Sequence, residues 1–176
     1  MKFEHQYQIP FVGLKQGLHR FTFEVNDEFF ANFEGAAING SDIKVDIDFD
    51  KKSDFFILKF YISGIMNADC DRCALVYQQE ILDEFTIYVK FDDRNLDIES
   101  EDEDVLFISR ADTHIDVAQL IYDFVNLSVP MQLICAKNRN TDESCNPELS
   151  KFLTTETENK EEEIDQRWSA LKKLKK

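Results

Sequence analysis

Residues 43–62 read IKVDIDFDKKSDFFILKFYI, and this stretch decides the fold. Apolar and polar residues alternate over 43–49, which is the pattern of a strand with one buried face. The polar run 50–54 then predicts a turn. Residues 55–62 are nearly all apolar, so we expect a central strand that is covered on both faces. The whole stretch therefore predicts an antiparallel hairpin.

The segments around this hairpin extend it into an α+β fold. Asn26 and Asp27 are residue types that cap helices and begin turns, so a short helix or a turn is expected after them. Thr113 and Asp116 have the spacing of a capping box, and apolar residues then recur at helical intervals until Pro130. The prediction is a curved antiparallel β-sheet with one covering helix. Further strands of this sheet are expected at residues 21–25, 75–81, 85–91 and 105–108.

The end of the chain has a different composition. Residues 154–160 are polar and have little to bury, which is typical of a linker. An amphipathic helix is predicted after them, with acidic residues at its start and lysines at its end, as the helix dipole favours. We therefore expect an α+β domain over residues 1–153 and a linker with a C-terminal helical tail over residues 154–176. The apolar stripe of the tail helix consists of Ile164, Trp168, Leu171 and Leu174.

Four cysteines form two pairs, Cys70 with Cys73 and Cys135 with Cys145. A Cys-x-x-Cys turn directs two sulfurs at one point, and a second pair can complete a tetrahedral zinc site. The second spacing is wider than the usual one. Reduced thiols with only a packing role and a redox pair are the alternatives, and the residues alone leave all three open. Four cysteines would fill the zinc coordination sphere, so a catalytic zinc is not expected.

The charge of the chain limits its partners. Its 20 Lys and Arg residues against 35 Asp and Glu residues give a formal net charge of −15 and a pI near 4.5. A polyanion repels nucleic-acid phosphates, so direct nucleic-acid binding should be weak or confined to a local basic feature. A basic protein is the favoured partner.

Location and catalysis are constrained by what the sequence lacks. The N-terminal residues show no signal-peptide pattern, and no apolar run is long enough to span a membrane. We therefore expect a cytoplasmic protein with reduced thiols, no membrane partner and a monomeric state. There is no glycine-rich phosphate loop and no arrangement of nucleophile and base, so an enzyme is not expected.

Several motifs resemble one known family in the order in which they occur. Cys70-Asp71-Arg72-Cys73 is similar to the Cys-x-Arg-Cys signature of the YceD family, the bacterial large-ribosomal-RNA accumulation proteins. Leu127-Ser128-Val129-Pro130-Met131 resembles the helix of that family that runs into a Leu-Pro segment, and residues 143–148 resemble its later cysteine-containing loop. Residues 165–174 resemble its Asp-Pro-Arg-Trp ending, although Gln166 stands in the proline position.

The resemblance implies a non-enzymatic ribosome-assembly factor. Such a factor supports 23S rRNA accumulation in the large subunit, and the acidic charge fits binding to a basic ribosomal protein or a pre-50S particle. The alternative is a zinc-containing protein that binds rRNA or processes RNA. The expected metal ligands are Cys70, Cys73, Cys135 and Cys145, and the expected partner-binding residues are Arg72, Arg167, Trp168 and Leu171.

Overall fold

The computed structural model describes residues 6–34, 38–92 and 104–135. A five-stranded sheet has the order β2-β3-β4-β5-β6, and a two-stranded sheet pairs β1 with β7. The strands are β1 (Gln8–Pro10), β2 (Gly17–Asn26), β3 (Asn39–Lys51), β4 (Phe55–Asp69), β5 (Val76–Phe91), β6 (Val105–Ile108) and β7 (His114–Asp116), and the helices are α1 (Asp27–Phe30) and α2 (Ala118–Ser128).

The predicted hairpin is confirmed as β3 and β4. The two strands pair antiparallel from Lys51 and Phe56 onward, and the Lys52 N–H closes the turn by donating to the Phe55 carbonyl at 3.0 Å. β4 is also the middle strand of the sheet, as expected. However, the expectation that both of its faces are covered is wrong. Burial alternates along β4, with Phe60 fully buried and Tyr61 exposed, because one face of the sheet carries no helix among the described residues.

The sheet is mixed, so the expectation of a wholly antiparallel sheet is wrong at one edge. β6 pairs parallel to β5, with Tyr88 opposite Val105. A parallel neighbour needs a crossover of about a dozen residues or more, and the acidic segment 92–104 has this length. Its residues 93–103 lie outside the described ranges. The two strands expected at 75–81 and 85–91 form one continuous strand, β5.

Helix α2 covers the inner face of the sheet, as predicted. The Phe124 ring stacks on Phe85 at a centroid distance of 4.5 Å and meets Phe60 edge-on at 5.0 Å. The capping box is wrong, because residues 114–116 form β7 and pair with β1. The helix instead begins after Val117, and the Asp116 carboxylate accepts a hydrogen bond from the Ala118 N–H at 2.9 Å.

Of the short helix and the turn left open after Asn26, the structure contains the helix, α1, and Asn26 caps it. The Asn26 side-chain oxygen accepts hydrogen bonds from the N–H groups of Glu28 and Phe29. After α1, the Phe33 ring stacks on Tyr122 of α2 at 4.3 Å. This contact places α1 and α2 on the same side of the sheet.

The linker and tail helix expected over residues 154–176 lie outside the described residues. Neither helix in the described ranges has the length and hydropathy needed to cross a membrane.

Gly64 marks a close approach of two strand backbones. It faces Ile43 across the β3–β4 ladder, next to a register shift between Asn39 and Asp42. A Cβ atom at position 64 would lie 2.6 Å from the Ile43 Cα and would also clash with the Asp42 carbonyl oxygen. Backbone atoms within a paired ladder have little freedom to move aside, so only glycine fits here.

We predict that Gly64→Ala lowers the free energy of unfolding by about 1–3 kcal/mol, the usual range for overpacking. Chemical denaturation with equal m-values measures this difference. Gly13→Ala is the control, because a Cβ at Gly13 meets nothing within 4 Å. Equal losses in the two variants would contradict the close approach at Gly64.

Candidate metal centre

The Cys-x-x-Cys motif lies in a turn, as predicted, and this turn joins β4 to β5. The Cys70 N–H donates to the Leu75 carbonyl at 3.0 Å, and the Ala74 N–H donates to the Cys70 carbonyl at 2.8 Å. Ala74 has a positive φ of 52°, which lets the chain reverse tightly enough to enter β5. The turn therefore places Cys70 and Cys73 at one end of the sheet.

Cys135 reaches this turn through the segment that follows α2. Two reciprocal hydrogen bonds hold that segment: the Asp71 N–H donates to the Leu133 carbonyl at 2.8 Å, and the Leu133 N–H donates to the Asp71 carboxylate at 2.7 Å. The Cys135 N–H in turn points at the Cys70 sulfur at 3.5 Å. Asp71 thus connects the two parts of the chain that carry the cysteines.

The sulfurs of Cys70, Cys73 and Cys135 lie within 4.8 Å of one another, and all three residues are buried. The Cys73 and Cys135 sulfurs are 3.8 Å apart. Ligands at about 2.3 Å around a tetrahedral zinc are separated by about 3.8 Å, so the distance between the Cys73 and Cys135 sulfurs matches such a site. The three cysteines are therefore close enough to hold a metal ion.

The surroundings of Cys70 favour its thiolate. Burial is the largest single influence and raises the pKa of this thiol. Hydrogen bonds from the N–H groups of Cys135, Arg72 and Cys73 and from the Cys73 thiol oppose burial and bring the pKa down to about 6. Because metals bind the thiolate, these N–H groups prepare Cys70 as a ligand near neutral pH.

The pKa of Tyr77, beside the cluster, is shifted in the opposite direction to that of Cys70. Burial raises the pKa of its hydroxyl first, and the charges of Cys70, Cys135 and Asp71 raise it further. The neutral hydroxyl donates to the Gln79 side-chain oxygen at 2.8 Å. The Tyr77 hydroxyl therefore stays protonated and uncharged beside the sulfur cluster.

A comparison with protein families shows which family this chain is similar to. The model named "Large ribosomal RNA subunit accumulation protein YceD" matches residues 58–175, about two thirds of the chain. The chain belongs to the YceD family. The matched region begins within β4 and includes all four cysteines, whereas β1, β2 and β3 precede it. No curated protein and no solved structure matches the chain.

The match confirms the family that the sequence motifs predicted. The description of the YceD family supports a ribosome-related role. Of the predicted metal ligands, the structure brings together Cys70, Cys73 and Cys135. Arg72 is exposed in the turn, and its N–H faces the Cys70 sulfur. The remaining candidates lie outside the described residues: Cys145, Arg167, Trp168 and Leu171.

Two features of this YceD-family site are not visible in the motif. Asp71 positions Cys135, but the motif pattern leaves its residue type open. A cavity of about 650 Å³ lies beside the cluster and is lined by parts of β3, β4 and α2, including Asn67 and Asn126, and by Leu133 in the segment after α2. These residues are far apart in the sequence, so no local pattern predicts the cavity.

We predict that Asp71→Ala increases the alkylation rate of Cys135 about tenfold. The buried thiol reacts only when residues 131–135 detach, and the variant loses a charged hydrogen-bond acceptor worth about 1.5 kcal/mol or more. Mass spectrometry of the peptide containing Cys135 measures the rate.

Asp71→Asn is the matched variant, because it removes the same charge but keeps an oxygen that accepts a hydrogen bond. Its rate should lie between those of the native chain and Asp71→Ala. A native rate in Asp71→Ala would show that another contact holds residues 131–135.

Proposed function

We propose that this protein is a non-enzymatic, cytoplasmic factor that supports 23S rRNA accumulation in the large ribosomal subunit. It does so by binding a basic ribosomal protein or a pre-50S particle. The family match over residues 58–175 is the observation that carries this proposal. The net charge of −15 supports it independently.

The sign of the charge favours a protein partner over RNA. Ribosomal proteins that contact rRNA must be basic, and an acidic factor attracts them electrostatically. The same charge repels the phosphates of free rRNA. The proposed complex should therefore persist after nuclease treatment and should weaken as salt is added.

We further propose a structural zinc bound by Cys70, Cys73, Cys135 and Cys145. The buried cluster of the first three supports this, together with the thiolate character of Cys70. Bound zinc would neutralise the thiolates and join residues 131–135 to the β4–β5 turn. With four sulfurs around it, no position would be open for substrate, which agrees with a structural role.

We predict about one zinc per chain in protein that is purified without chelator, measured by elemental analysis. Cys73→Ser should lose most of this zinc, because it removes a ligand from the buried cluster. Cys145→Ser tests the fourth position and should release zinc to a chelator faster than the native protein does. Zinc-free native protein, or full zinc retention in Cys73→Ser, would contradict the proposal.

The C-terminal residues Arg167, Trp168 and Leu171 are proposed to contact the partner, with Arg72 as a further basic contact. A lone tryptophan among charged residues is typical of an interface anchor. Residues 167–171 also fall within the segment that the family model matches.

We predict that Trp168→Ala weakens association with pre-50S particles by about 2 kcal/mol, as expected for an aromatic anchor, and leaves the melting temperature nearly unchanged. Co-sedimentation and calorimetry on the same protein measure the two quantities. Trp168→Phe is the matched variant, because it keeps an aromatic ring and should retain part of the affinity.

Two other results would change the conclusion. A large drop in melting temperature with normal co-sedimentation would assign Trp168 a structural role. Association that disappears after nuclease treatment would favour the alternative of a zinc-containing rRNA-binding or RNA-processing protein.

A further inference from the structure

The outer face of the five-stranded sheet is the face opposite α2. Phe60 and Phe85 point toward α2, so their outward neighbours point away from it. The strand register aligns these outward residues in rows across the sheet. One such row is Thr22, Asp46, Tyr61 and Glu84, and the next row contains Arg20, Asp48, Lys59 and Thr86.

Acidic residues dominate this outer face. β3 contributes an aspartate at every outward position from Asp42 to Asp50 except that of Lys44, and β5 contributes Glu80 and Glu84. Surface pairs neutralise part of this charge, since Arg20 binds Asp48 and Lys44 binds Asp46, both at 2.7 Å. Within the described ranges no ion pair forms at Glu84, which leaves its charge available.

Large apolar side chains lie exposed among these acids. Tyr61 keeps 38% of its surface exposed, Tyr88 keeps 41%, and Leu82 keeps 78%. Such residues in a strand are ordinarily placed on the buried face, and here they lie on the opposite one. Exposed aromatic residues at the centre of a polar surface are the usual anchors of protein interfaces.

Tyr61 is the centre of this surface. Asp46 lies directly opposite it on β3, and Glu84 lies directly opposite it on β5. Hydrogen bonds from Lys44 and Thr22 hold the pKa of Asp46 below its usual value, so this carboxylate stays ionised. An aromatic ring between two carboxylates suits a Lys or Arg side chain, which gains both ion pairing and a cation–π contact.

We propose that the outer sheet face around Tyr61 binds a Lys- and Arg-rich segment of a ribosomal protein. The inference rests on the proposed function and adds the surface that performs it. Tyr61 is the anchor and Glu84 receives a cationic group, whereas Asp46 is already paired with Lys44. Charge complementarity decides the class of partner, because RNA phosphate and anionic lipid are both repelled by this face.

The experiment measures binding of the full-length protein to rRNA-free proteins of the large subunit and to nuclease-treated pre-50S particles. Glu84→Lys reverses a charge beside Tyr61 and should weaken binding about tenfold. It should also flatten the dependence of affinity on salt, which a merely structural defect does not do. Tyr61→Thr keeps a residue suited to a strand and should weaken binding about 30-fold.

Glu34→Lys is the matched control, because it makes the same charge reversal elsewhere. Glu34 is exposed and follows Phe33, which stacks on Tyr122 on the side of α2. Melting temperatures of all three variants show whether each one is folded. A folded Tyr61→Phe variant should recover most of the affinity that Tyr61→Thr loses.

The outcomes separate the two proposals. If the native protein binds and Glu84→Lys binds no more weakly than Glu34→Lys, the outer face is not the binding surface, while the proposed function stands. If the native protein binds neither preparation, the proposed function fails and the inference fails with it. If binding requires intact RNA, the partner is rRNA and not a basic protein segment, and the inference is wrong.

Discussion

The packing of Phe124 between Phe60 and Phe85 is the contact on which the rest of the structure depends. It joins the helix to two central strands and defines which face of the sheet is the inner one. It also sets the direction of the chain after Ser128, because α2 ends near the β4–β5 turn. This contact and the Asp71–Leu133 hydrogen bonds together position Cys135 relative to Cys70, and Tyr61 lies on the face of the sheet opposite to Phe124.

The two faces of the sheet divide the chemistry of the molecule. The inner face supplies an apolar core, and at its end three buried sulfurs meet. The outer face presents carboxylates and exposed tyrosines. The proposed metal centre at one end would give rigidity to the turn and to residues 131–135, whereas the charged open face is the one proposed to bind a partner. This division suits a YceD-family protein whose proposed task is to hold a partner rather than to transform one.

Much of the fold could be predicted because apolar and polar residues alternate, with a period of two, along a strand that has one buried face. This pattern identified β3 and the second half of β5, and together with the polar run 50–54 it predicted the hairpin. It failed at residues 55–62, where Ile57 and Tyr61 are apolar but face outward. Hydropathy alone cannot distinguish a second buried face from a binding surface. The parallel pairing of β6 was also missed, since four residues carry no signal of strand direction.

The candidate site was predictable only in part, for a related reason. The Cys-x-x-Cys spacing indicates a local turn, whereas the convergence of Cys135 on that turn belonged to only one of the three alternatives that the residues left open. Asp71 was not recognised, because its partner Leu133 lies 62 residues away and no local pattern joins them. The capping box was wrong for the same reason, because residues 114–116 pair with β1, which lies more than 100 residues earlier in the chain.

The distance along the chain between the two halves of the sulfur cluster also sets an order of events during synthesis. Cys70 and Cys73 leave the ribosome together, whereas Cys135 follows 62 residues after Cys73. Contacts between distant segments form late, because a long loop must close first. A metal ion that meets the nascent chain can therefore find at most two of these sulfurs until α2 has emerged and folded back. These three sulfurs can thus come together only when every described strand has already been made.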